Sequence, residues 1–216
     1  MDGKCPVYCL DDGAILNNLS HRENSISEVA EKCVPLVLKF AAAYGRQCGN
    51  WASNDHNRED VNHRSVYLGG WSYGGVVASV VAEKLALMSI RDTLISVCVK
   101  GLVLFDAPVR LAVSGHSADN IMQAEDKSVL AHFDYCTSLL RKHYVRPIVE
   151  TPILHCPLLD IRAEQSSYDT CHNAVCELTT GDIQRHKCAG DHFSMIVGSN
   201  AQGVARLLND FVAGES

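Results

Sequence analysis

Apolar residues recur at Ile26, Val29, Cys33, Leu36, Val37, Phe40 and Tyr44, the stripe of an amphipathic helix. In front of the stripe, Ser25-x-x-Glu28 forms a capping-box pattern. Pro35 predicts a kink or a split in this helix, and Gly45 a C-cap. Upstream, residues 6–10 predict a short strand and 11–24 a loop; downstream, the polar stretch 47–63 predicts an exposed loop. Residues 64–68 are strand-like, and 76–88 form an uninterrupted Ala-rich helical run. Residues 97–105 (V-C-V-K-G-L-V-L-F) are almost continuously apolar, as in a central parallel strand covered on both faces. A helix follows over 125–143, with Leu130, Phe133, Leu139 and Leu140 on its apolar side. Residues 153–162 predict another strand, and short extended pieces at 177–178 and 184–188 flank a turn at Gly181. A last amphipathic helix spans 200–212, with Val204, Leu207, Leu208, Phe211 and Val212 inward.

Strands alternating with helices predict an α/β fold with a mainly parallel, doubly wound sheet. With 216 residues and 47% hydrophobic content, the chain reads as one domain, 1–216, with a full-sized core. The net charge is −6 with no block of like charge, which excludes a nucleic-acid footprint and a polybasic membrane anchor. No stretch approaches the ~18 unbroken apolar residues of a membrane span. The opening Met-Asp-Gly-Lys-Cys-Pro lacks the layout of a signal peptide. Ten cysteines are scattered, with Cys9, Cys33, Cys98 and Cys136 in apolar runs, the usage of a reduced, cytoplasmic protein. Cys171, His172, Cys176, His186, Cys188 and His192 crowd one region, but their irregular spacing does not close a zinc site. The sequence implies neither metal nor cofactor.

Chemistry enters at residues 67–76, Y-L-G-G-W-S-Y-G-G-V, where a strand runs through Gly70-x-Ser72-x-Gly74 into a helix. A serine hydroxyl is a weak nucleophile unless it is lifted out of its surroundings and given a base. A sharp strand–turn–helix elbow does the lifting, and the helix N-terminus turns N–H groups toward a developing oxyanion. Such a serine needs a histidine and an acid, in the chain order Ser, acid, His. His192, in Gly190-Asp-His-Phe-Ser-Met195, precedes the last helix on a loop expected over the carboxyl ends of the strands. Asp106 follows the most apolar strand and so lies beside the elbow; Asp160, Glu164 and Asp169 are rival acids after the next strand.

These three blocks, with Leu102-Val-Leu-Phe-Asp-Ala-Pro108 as the second, resemble the motifs of polyketide-synthase and nonribosomal-peptide-synthetase thioesterase domains, most closely the fungal polyketide type. The resemblance runs over nearly the whole chain and is weakest at 110–150. It implies an α/β-hydrolase fold with a helical lid at about 110–147 and a triad of Ser72, Asp106 and His192. In that family the acid follows the strand after the elbow, which favours Asp106. The Tyr73 N–H would serve as first oxyanion donor; Trp71 and Tyr73 are candidates to line the acyl pocket, with core packing the equal alternative for Trp71. The implied substrate is an acyl thioester on a carrier-protein pantetheine arm, or a small polyketide-like molecule, released by hydrolysis or cyclisation.

The chain departs from the family by beginning late. The upstream strands, and the loop carrying the second oxyanion donor, are not matched. Either the 7–10 strand moves beside the elbow strand, so that residues 11–14 with Gly13 replace that loop, or a second copy or a synthase partner completes the sheet. Two other functions stay open: a non-hydrolytic cyclase or isomerase using His192 and Asp106 as acid and base, and a non-catalytic partner of a synthase.

Overall fold

A computed structural model describes residues 7–10, 23–47, 64–91, 97–109, 127–144, 152–166 and 175–214. Four strands, β1 (Arg64–Trp71), β2 (Val97–Phe105), β3 (Leu158–Ala163) and β4 (Ile183–Cys188), form one sheet in the order β1-β2-β3-β4. Every neighbouring pair is parallel. The helices are α1 (Ile26–Gln47), α2 (Tyr73–Arg91), α3 (Lys127–Tyr144) and α4 (Gly198–Ala213).

The apolar patterns dictate the layering. On one face, Ala78 and Ala82 of α2 meet Leu102 and Leu104 of β2 and Leu158 of β3. The outer side of the same helix, Val76, Val77, Val80, Val81 and Leu85, meets Ile26, Ala30, Val34 and Val37 of α1 and Leu139 and Leu140 of α3. Each Val, Leu or Ile among them, fully buried, contributes about 1.5–3 kcal/mol. By length and composition Tyr73–Ile90 could cross a membrane. Half of this stretch is buried, against the sheet on one side and two helices on the other. On the opposite face, Val204 and Phe211 of α4 cover Val103, Leu159, Ile161 and Ala163.

Helix α1 starts where the capping pattern predicts. The Glu28 N–H donates to Ser25 Oγ at 3.2 Å, and Glu28 Oε2 accepts from the Asn24 N–H at 2.9 Å. Its interior corrects two expectations. Pro35 does not split the helix, and Gly45 is an internal residue rather than a C-cap, because α1 runs unbroken to Gln47. Pro35 is exposed, while Val34 and Val37 are held in the core; packing outweighs the lost hydrogen bond.

Residues 7–10 are not a strand. Val7 is exposed, and Tyr8 stacks on Phe40 of α1 with ring centroids 4.4 Å apart. Since β1 pairs only with β2 among the described residues, the 7–10 segment is not the strand that completes the sheet. The third strand starts at Leu158 rather than at 153, behind Pro157, which has no N–H to continue a ladder; Leu154 makes only an isolated bridge with Thr179. Of the expected lid, 110–126 and 145–147 lie outside the described residues, as do Gly13, Asp169 and 48–63. The described end of α3 is docked in the helical layer, where the Tyr135 hydroxyl donates to the Glu23 carbonyl at 3.2 Å.

Candidate active site

Ser72 occupies the single turn residue between β1 and α2, with φ 54. A non-glycine residue there carries strain of order 1–3 kcal/mol, and the surrounding bonds hold it in place. The Ser72 N–H donates to the Phe105 carbonyl at 2.9 Å, and the Ser72 carbonyl accepts from the Gly75 N–H at 3.0 Å. Two glycines make the turn possible. A Cβ on Gly70 would lie 2.2 Å from the Gly74 carbonyl carbon; one on Gly75 would lie 2.5 Å from Ala107 Cβ. Gly74, the last glycine of the five-residue pattern, has open space around it. The steric requirement therefore falls on Gly70 and Gly75.

Asp106 repeats this geometry one strand over. It follows β2 with φ 44, and its N–H donates to the Ile161 carbonyl at 2.8 Å. Its carboxylate is fully buried and therefore needs partners. Asp106 Oδ2 accepts from His192 Nδ1 at 2.8 Å and from the Ser166 hydroxyl at 2.9 Å; Oδ1 accepts from the Ala163 N–H at 3.4 Å. An ionised carboxylate only accepts, so the imidazole proton lies on Nδ1 and Nε2 is left as the basic nitrogen.

The residues around His192 form a built loop. Gly190, at φ 99, fits because a Cβ would meet Ser194 Oγ at 2.6 Å. Asp191 Oδ1 accepts from the N–H groups of Phe193 and Ser194 and from the Ser194 hydroxyl, while the Asp191 N–H donates to Ser194 Oγ. Bonds from the Ser194 N–H and hydroxyl, then the Phe193 N–H, hold the Asp191 carboxyl below its ordinary range. Met195 anchors the far end in the core.

The structure thus brings Asp106 and His192 together. Ser72 lies on the adjoining strand end, its N–H bonded to Phe105, the residue before Asp106. Trp71 and Tyr73 flank Ser72 but diverge. Tyr73 packs on the α1–α3 side, whereas Trp71 packs on the α4 side against His192. Of the rival acids, Glu164 is exposed. Asp160 is buried and paired with Arg162 Nε at 2.8 Å. Burial pushes the Asp160 carboxyl up, and Arg162 beside it offsets only part of that effect. The Arg162 Nη1 donates to the Ala107 carbonyl at 2.7 Å, bracing the loop behind Asp106.

Sequence reasoning missed Ser166 and Arg162, whose neighbours come together only in the fold, and the bond from Trp71 to the His192 carbonyl. No group of three or more metal-ligating side chains forms among the described residues.

No family model and no curated protein matches this chain. Solved structures do. RedJ, a thioesterase from the prodiginine biosynthetic pathway in Streptomyces coelicolor, is 16% identical over 85% of this chain and 69% of its own, with TM-score 0.53. The NocB thioesterase domain, solved as a covalent complex with a fluorophosphonate nocardicin G analogue, is 15% identical over 90% of this chain and 78% of its own, with TM-score 0.54. Human thioesterase 2 is 15% identical over 71% of this chain and 75% of its own, with TM-score 0.51. At these identities the likeness is one of fold: the chain has a parallel sheet with flanking helices and an α/β-hydrolase-like architecture similar to these thioesterases.

Proposed function

We propose that this chain is a thioesterase-type acyl-transfer enzyme of secondary metabolism, a single domain whose catalytic group is Ser72, His192 and Asp106. The observation that carries the reading is the buried 2.8 Å bond from His192 Nδ1 to Asp106, beside a serine held at positive φ on the neighbouring strand end. The thioesterase neighbours lend it further support.

In this mechanism Ser72 Oγ attacks the carbonyl of an acyl thioester, on a carrier-protein pantetheine arm or a small acyl thioester. His192 Nε2 takes the serine proton, and Asp106 stabilises the imidazolium through Nδ1. The C–S bond breaks, and the leaving thiolate takes the proton from Nε2. A water molecule, or a nucleophile within the acyl chain, then attacks the acyl-enzyme with the same histidine as base, giving an acid or a ring. The Tyr73 N–H, at the start of α2, supplies one oxyanion donor. Trp71 and Tyr73 border the acyl group. The thiols of Cys156 and Cys188, buried and pushed up by that burial, remain unreactive in a reducing, cytoplasmic setting.

Intact mass after incubation with a fluorophosphonate tests this. One adduct on the wild type and none on Ser72→Ala is the expected result; no adduct on the folded wild type refutes the covalent mechanism. The same buried His192–Asp106 bond also supports a second reading, a non-covalent cyclase or isomerase using His192 and Asp106 as acid and base. Activity on a polyketide-like substrate kept in Ser72→Ala and lost in His192→Ala would select it.

A further inference from the structure

Trp71 precedes Ser72 by one residue, yet its indole is engaged with the histidine. Trp71 Nε1–H donates to the His192 carbonyl at 2.9 Å. The indole also stacks on the imidazole, with centroids 4.8 Å apart and planes inclined by 27°. Phe193 closes the arrangement edge-on, 5.7 Å from Trp71 and 5.0 Å from the imidazole. One side chain therefore grips both the backbone and the ring of His192.

The Asp106 bond fixes Nδ1 but leaves the ring free to swing about that point. The stack removes this freedom. When Nε2 takes a proton, the charge spreads over a ring already lying on the indole face. Tryptophan offers the most favourable aromatic face for a cation. Other titratable groups lie nearby: Asp106 accepts from His192 Nδ1, Asp191 precedes His192 in the same loop, and Cys188 at the end of β4 lies close to Asp106 and Glu164.

We propose that Trp71 is a positioning residue that holds the His192 imidazole against Asp106 and stabilises the imidazolium through its indole face. The catalytic consequence rests on the acyl-transfer reading above; the physical coupling does not.

The chain has two tryptophans, so Trp51→Phe leaves Trp71 as the sole indole. A protonated imidazole in contact with an indole quenches its emission. Emission of this variant is expected to fall as pH is lowered and the imidazole takes up a proton. The step is expected to vanish when His192→Gln is added. A missing step, or one that survives His192→Gln and so belongs to Asp106, Asp191 or another group, overturns the proposal.

Kinetics on an acyl thioester give the second readout. Trp71→Leu is expected to lower kcat/KM about three- to thirtyfold, the range of a cation–π contact, and to move the acid limb of the pH profile to lower pH. Trp71→Phe, which keeps a ring, is expected to recover most of both. A Trp71→Leu protein whose pH profile is unmoved overturns the electrostatic role. Should the fluorescence step appear while fluorophosphonate labelling fails, the acyl-transfer reading falls and the coupling stands.

Discussion

Gly74 and Gly75 are adjacent in sequence and equally plausible as members of a glycine motif, yet substituting alanine at each should have opposite effects. Both lie in the first turn of α2 with unexceptional φ, so removing either glycine should stabilise the helix by about 0.5–1 kcal/mol. Around Gly74 the new Cβ meets nothing within 4 Å. Around Gly75 it falls 2.5 Å from Ala107 Cβ and 2.8 Å from the Gly70 carbonyl oxygen. An ordinary carbon–carbon contact is about 3.5–4.0 Å, so something must retreat by roughly 1 Å. Neither neighbour has a flexible side chain to give way, and overpacking of this kind costs about 1–3 kcal/mol. The helix-propensity gain is common to both variants, so the difference between them isolates the clash. It should appear in urea or thermal unfolding as Gly75→Ala melting below Gly74→Ala, by about 2–4 °C per kcal/mol for a chain of this size. Because Ala107 follows Asp106, Gly75→Ala should also label more slowly with a fluorophosphonate. If Gly75→Ala proves as stable as Gly74→Ala, the close packing of the elbow against the β2 end is wrong.

Pro35→Ala restores an N–H inside α1 on its exposed side and should raise stability by about 1–3 kcal/mol in chemical denaturation. Arg162→Met leaves the Asp160 carboxylate buried without its partner and should cost about 3–5 kcal/mol at neutral pH. The Asp160 pKa is raised in the folded state, so between its ordinary value near 3.8 and the raised value the native form binds the extra proton; stability contributed by Asp160 rises as pH falls into that window. The Arg162→Met deficit should therefore shrink on acidification, and a deficit independent of pH would refute the pairing argument. Asp106→Asn should lower kcat by about 10³–10⁴ on an acyl thioester, because the amide no longer selects the Nδ1–H tautomer.

The inner strands were legible where they are most buried and apolar, at Leu102–Leu104 of β2 and Leu158–Ile161 of β3. The strand at Val97–Phe105 has the predicted bounds, and the final helix shifts only at its ends. What failed was local chemistry overruled by packing. Pro35 and Gly45 carry strong helix-breaking signals, but α1 is held on the core by Ile26, Ala30, Val34 and Val37. The 7–10 segment has strand composition, yet a strand needs an edge to pair with, which composition cannot report. At the site, the Gly190–Met195 block can be decoded after the fact: turn, carboxylate acceptor, histidine, anchor. The Ser166 hydroxyl on Asp106 and the indole on His192 join residues far apart in the chain, so no spacing announced them.

The main-chain bonds at the strand ends carry a last consequence. Ser72 donates to the residue before Asp106, and Asp106 donates to a residue of the next strand, so the two strained positions sit on consecutive rungs of the sheet itself. Neither can relax by a loop fluctuation alone; relief requires the strands to part. Their amides should therefore exchange with solvent water only through openings that breach the sheet, among the rarest the molecule makes. The centre of the site is thereby tied to the sheet, its precision guaranteed by the same event that would unfold the chain.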